Sequence, residues 1–192
     1  MDSFERENLR IHYRPEKIKW LLVAEAPPLD DHDRFFYREK VDKFDTLYLE
    51  TMHVLYFEEN ERKTGRLRNE KPYFLKNFQD DGFYLIDALT EPIKDKRRKV
   101  SILRKGSKSA IKRIEDIAGK DTKVILISRP VFIVLHKPLI EKKVVVINKG
   151  VIPFPIGCND IFRVELRTVL LENGWRKTIH PDNSEPNHNA SK

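Results

Sequence analysis

The sequence predicts an α/β domain of three layers, α/β/α, with helices on both faces of a four-stranded parallel sheet. Short apolar runs rich in bulky and β-branched residues recur at 20–23, 83–87, 123–128 and 144–147. Runs of this length bounded by breakers fit strands buried on both faces. Between them lie segments whose apolar residues recur at steps of three and four, the period of an amphipathic helix. Strands that alternate with helices close by right-handed crossovers, which place helices on both sides of the sheet. The 192 residues contain no internal repeat and suffice for one core. A single domain is expected over 1–175, with a flexible tail over 176–192, rich in Asn, Pro, Ser and His and without apolar period.

Residues 1–17 mix polar and aromatic side chains, and Tyr13-Arg14-Pro15 marks an approach to the first strand rather than a helix of its own. Trp20 to Val23 form that strand. It must stop at Pro27 and Pro28, which cannot donate to a sheet ladder, so Glu25 is carried at its carboxyl end. Phe44, Leu47, Tyr48, Met52, Leu55 and Tyr56 outline a helix over 44–57, and the charged stretch 58–71 reads as a loop or an exposed helix end. Pro72 can start a short helix to Phe78, ended by Gly82 before the strand Phe83 to Asp87. A helix over 100–118 follows, with Gly106 as a possible break and Gly119 as its stop. Lys123 to Ser128 is the third strand, Arg129-Pro130 opens a short helix to His136, and Val144 to Ile147 is the fourth strand. Asn159 can cap a last helix over 160–172.

The formal charge is +7, from 37 Lys and Arg against 30 Asp and Glu. The run from Lys94 to Arg113 is strongly basic, with only Asp95 opposing its first half, and Arg97, Arg98, Arg104 and Lys105 are candidates for contact with a nucleic-acid backbone. The alternative is a solvated lysine-rich helix face. The lone Cys158 forms no internal disulfide and cannot ligate an iron–sulfur cluster, and no histidine spacing suits a metal, so no cofactor is expected. With no apolar run near the ~20 residues of a membrane span and no secretory signal pattern, a cytoplasmic, monomeric protein without membrane contact is the expectation. No Gly-x-Gly-x-x-Gly follows the first strand and no Gly-x-x-x-x-Gly-Lys occurs, which argues against a Rossmann dinucleotide site and a P-loop.

Ala24-Glu25-Ala26-Pro27-Pro28 at the end of the first strand resembles the first motif of the uracil-DNA glycosylase superfamily, Gly-Glu-Ala-Pro-Gly in one class and Gly-Gln-Asp-Pro-Tyr in another. The superfamily's second motif, often His-Pro-Ser, lies between the last strand and the last helix, where this chain has Ile152-Pro153-Phe154-Pro155. The resemblance implies that Glu25 is the catalytic carboxylate, because the water-activating aspartate of the other class falls on Ala26. It also implies that Ala26 and Pro27 line the base pocket, that Asp87 corresponds by order to an asparagine reading the base edge, and that Phe154 and Pro155 occupy the loop pressed against DNA. Phe154 stands in the slot of a histidine and cannot donate a hydrogen bond.

Independently of the resemblance, a carboxylate at the carboxyl end of a parallel strand is where open α/β sheets bind ligands. The alternative for Glu25 is structural, accepting backbone amides of the turn after Pro27. Arg34, Phe36 and Tyr37 could hold an extruded base by stacking and phosphate contact, or Phe35 and Phe36 could plug the core with only Tyr37 near a pocket. His32, among Asp30, Asp31 and Asp33, could reach the same pocket. The function that the resemblance implies is recognition of a base in DNA, extending to N-glycosidic hydrolysis of a damaged or deaminated base. The alternative is a non-catalytic member that binds nucleic acid or a protein partner, and a small-molecule hydrolase or nucleotide-binding protein using the same crevice is a third.

Overall fold

The computed structural model describes residues 2–29, 34–40, 44–61 and 63–180. Its sheet has three parallel strands, β1 (Trp20–Ala24), β2 (Phe83–Asp87) and β3 (Lys123–Leu126), in the order β2-β1-β3. Trp20 stands beside Phe83 on one side and Lys123 on the other, and Ala24 beside Asp87. Every residue of β1 and β2 is buried, as expected where both faces are covered. The helices are α1 (Ser3–His12), α2 (Thr46–Tyr56), α3 (Thr64–Asn69), α4 (Lys71–Asp80), α5 (Lys99–Ile117), α6 (Arg129–Glu141) and α7 (Asn159–Glu172), with a 3-10 turn over Lys96–Arg98. The crossover from β1 to β2 carries α2 to α4, and the one from β2 back past β1 to β3 carries α5. Because these run in opposite directions along the sheet, right-handed crossing puts their helices on opposite faces. In accord with this, α5 packs on α6 and α2 on α7.

The expected fourth strand is not formed. In its place two isolated parallel bridges, Val124 with Val146 and Ile127 with Ile152, hold 144–152 beside β3. The Val146 N–H turns back to the Val144 carbonyl at 2.9 Å, which bends the segment. Beyond it Asn148 replaces the missing ladder: its Oδ1 accepts from the Leu126 N–H at 2.9 Å, and its Nδ2 donates to the Leu126 carbonyl at 3.2 Å and to Gly150 at 2.9 Å. A buried side-chain amide thus satisfies the strand edge.

The N-terminal segment also departs from expectation, forming α1. Asp2 caps it, accepting from the Glu5 N–H at 2.8 Å, and its buried Arg10 reaches β2. Residues 58–71 include α3. α5 runs through Gly106 without a break, and the glycine makes room for Leu89, which would lie 2.5 Å from a Cβ there. α6 extends past His136 through Pro138 to Glu141. The start of the expected tail is pinned, Lys177 to Glu58 at 2.5 Å and His180 to Asp81 at 3.0 Å; residues 181–192 lie outside the described residues.

Candidate functional site

β1 is the central strand of the sheet, and in open α/β sheets ligands bind in the crevice outside the carboxyl ends of the strands. A cavity of about 560 Å3 opens there. Its floor is built by the strand ends, Ala24 and Glu25 from β1 and Leu85 and Asp87 from β2. Pro27 and Pro28 turn the chain along one wall, Phe35, Phe36 and Phe154 add aromatic surface, and Lys96 and Lys99 enter from the start of α5.

The backbone of Glu25 is fixed by the chain leaving β2, whose Leu89 N–H donates to its carbonyl at 3.0 Å. Its carboxylate is met by an amine rather than by amides of the proline turn: Lys99 Nζ donates to Oε2 at 2.6 Å. The Glu25 side chain is 10% exposed and that of Lys99 35%. Asp87 is held from behind. Arg10 Nη2 donates to its Oδ2 at 3.2 Å, while Arg113 Nη2 donates to the carbonyls of Asp87 and Ala88 at 3.1 and 2.6 Å. Burial pushes the Asp87 carboxyl up to about 6, with the opposing pull of Arg10 and Arg113 only partly offsetting it.

Of the residues singled out in the sequence, Glu25, Ala26, Pro27, Arg34, Phe36, Asp87 and Phe154 line this cavity. Tyr37 does not. It is fully buried, its hydroxyl donating to the Leu85 carbonyl at 3.1 Å and accepting from the Leu85 N–H at 2.7 Å, so it closes the outer edge of β2. Pro155 is buried and is not part of the lining. Arg97 and Arg98 lie exposed in the turn between the two lining lysines, and Arg104 and Lys105 are exposed farther along α5. His32 lies outside the described residues.

The cavity also has members that sequence reasoning did not select. Lys96 and Lys99 stood only as part of the basic run. Leu29, Phe44 and Ile156 line the cavity while 53%, 60% and 69% exposed, which makes them an apolar rim. Phe44 is at φ 66, an uncommon backbone state for an aromatic residue, with the Arg34 guanidinium 4.5 Å from its ring centre. The available signal for Ile156 was its place between Pro155 and Gly157, in a loop where an apolar side chain has no period to bury it.

Among the described residues no group of three or more His, Cys, Asp or Glu side chains could hold a metal ion, and no helix is long and apolar enough to cross a membrane. Comparison with protein-family models, curated proteins and solved structures finds no match to this chain.

Proposed function

We propose that the chain is a divergent uracil-DNA-glycosylase-like protein that recognises a base in DNA and excises a damaged or deaminated one by hydrolysis of its N-glycosidic bond. The observation that carries this reading is the position of Glu25, a carboxylate at the floor of an aromatic-walled cavity at the carboxyl end of the central strand. A cavity of about 560 Å3 has room for one extruded nucleotide. Phe36 and Phe154 stack on its base. Glu25 orients and deprotonates the water that attacks C1′ as the bond to the base breaks.

The departing base must be stabilised, and Phe154 cannot do it. Asp87 can, because a carboxyl raised to about 6 keeps a protonated fraction near neutral pH that donates to the leaving base. Leu29, Phe44 and Ile156 occupy the gap that the extruded base leaves in the stack. Arg97 and Arg98, exposed between the lining lysines, meet the flanking phosphates. The non-catalytic reading is favoured by one feature, the engagement of Glu25 by Lys99.

The test is base release from labelled oligonucleotides carrying uracil, hypoxanthine, xanthine or a mismatch, read as alkali-labile breaks beside a mobility-shift assay. Glu25→Gln should abolish release and leave DNA affinity within about twofold, a change under ~0.5 kcal/mol. Release that survives in Glu25→Gln removes the carboxylate from the mechanism. Binding with no release by the wild type leaves the non-catalytic reading.

A further inference from the structure

A lysine amine has three N–H donors and no acceptor. Lys99 gives one to Glu25, and its side chain remains 35% exposed toward the cavity that it lines. Lys96, exposed and one 3-10 turn earlier, lines the same cavity, and no carboxylate among the described residues pairs with it. The charges on the wall do not cancel. Among the described residues Lys96 and Lys99 face Glu25, while Asp87 already takes its counter-charge from Arg10, outside the lining. The surplus is positive and concentrated on one side of an otherwise apolar and aromatic cavity.

We propose that Lys96 and Lys99 form a phosphate subsite at the cavity mouth, so that the ligand is a phosphate-bearing nucleotide and not a bare base or nucleoside. The proposal rests on the reading above that the cavity receives a nucleotide. Ammonium groups bind phosphate as point charges without needing the planar geometry of a guanidinium. Glu25 acts here as a positioning residue, since its bond holds the Lys99 amine at the rim with two donors left over. The amine bridges carboxylate and phosphate, which sets the sugar beside Glu25 and the base against Phe36 and Phe154.

The experiment titrates the full chain with deoxyuridine and with deoxyuridine 5′-monophosphate at low salt, following amide shifts by NMR. The wild type should bind the monophosphate about tenfold or more tightly than the nucleoside. In Lys96→Gln/Lys99→Gln that ratio should fall to about one while nucleoside affinity stays within about twofold, which also shows that the variant is folded. Lys99→Arg should retain the preference, as should Lys137→Gln on the exposed surface of α6. Equal affinity for the two ligands in the wild type, binding of neither, or a preference that survives the double substitution overturns the subsite. Base release is scored separately. Phosphate-dependent binding without release keeps the subsite and removes excision; release by the wild type that the double substitution leaves unchanged keeps excision and removes the subsite.

Discussion

Ala24 stands beside Asp87 in the sheet register, so the two carboxylates on the cavity floor, Glu25 and Asp87, leave neighbouring strand ends one residue apart, yet their counter-charges arrive from opposite directions. Glu25 is served from the cavity side by a flexible lysine, and Asp87 from within the protein by an arginine whose side chain is only 9% exposed. The Arg10 guanidinium lies 5.5 Å from the centre of the Phe35 ring and also engages Glu7. The partner of Asp87 is therefore part of the packed structure, while that of Glu25 is a group that solvent or a ligand can reach. Both carboxylates line the cavity. What separates the two is the exposure of the partner.

Removing the partners should break the comparison most clearly. Arg10→Ala leaves Asp87 enclosed without its nearest cation, and loss of one member of a buried pair typically costs about 3–5 kcal/mol. Urea unfolding at neutral pH measures it. Adding Asp87→Asn should recover a large part, because a neutral amide needs no counter-charge. A cost below about 1 kcal/mol, the range of exposed pairs, would place Arg10 with Lys99 and erase the distinction.

The next effect is a pH dependence specific to Asp87. Its carboxyl lies at about 6 in the folded chain against 3.8 for an unperturbed aspartate. Below about pH 4 both states hold the proton, and above about 6 neither does. Between these values the folded state binds the proton and the unfolded state has released it, so stability falls as pH rises through the window. The full amplitude is about 3 kcal/mol. The difference in unfolding free energy between wild type and Asp87→Asn isolates this group from the other carboxylates. That difference should shift against the wild type between pH 4 and 6 and level off above; a flat or oppositely sloped curve would show that Asp87 is not held in a desolvated setting.

The parts of this arrangement visible in the sequence are those written in local pattern. β1, β2 and β3 follow from short apolar runs with breakers beside them, and Glu25 and Asp87 follow from the residues that end those runs. The Pro27-Pro28 turn follows from the same logic, whereas Phe154 was selected by the motif resemblance alone. What escaped is held by contacts distant in sequence. Lys99 finds Glu25 across 74 positions, and Arg10 finds Asp87 across 77, so neither has a local signature. Residues 3–12 are largely polar, with Phe4 and Ile11 exposed, and α1 is fastened by Arg10, its cap and Leu9. The segment 144–147 has the composition of a strand, but the backbone turns at Val144 to Val146 and Asn148 makes the bonds a strand would have made. Phe35, Phe36 and Tyr37 lie in a loop without period, so nothing local distinguishes the tyrosine that closes β2 from the phenylalanines that face the cavity.

The smallest effect is the most informative about the open side. Lys99→Ala removes the only cation within hydrogen-bond distance of Glu25 among the described residues, and for a fully enclosed pair the cost would match that of Arg10→Ala. Here the deleted amine is itself partly exposed, and the space it leaves belongs to a cavity of about 560 Å3 that water can fill. A rehydrated carboxylate recovers most of its lost partner, so the expected destabilisation is under about 1 kcal/mol. The same substitution should weaken the phosphate preference of the cavity, an effect that stability measurements would not reveal. A loss of several kcal/mol in Lys99→Ala, alongside an unchanged preference for the monophosphate, would mean that Lys99 is a structural cation like Arg10 and that the two carboxylates are held in the same way.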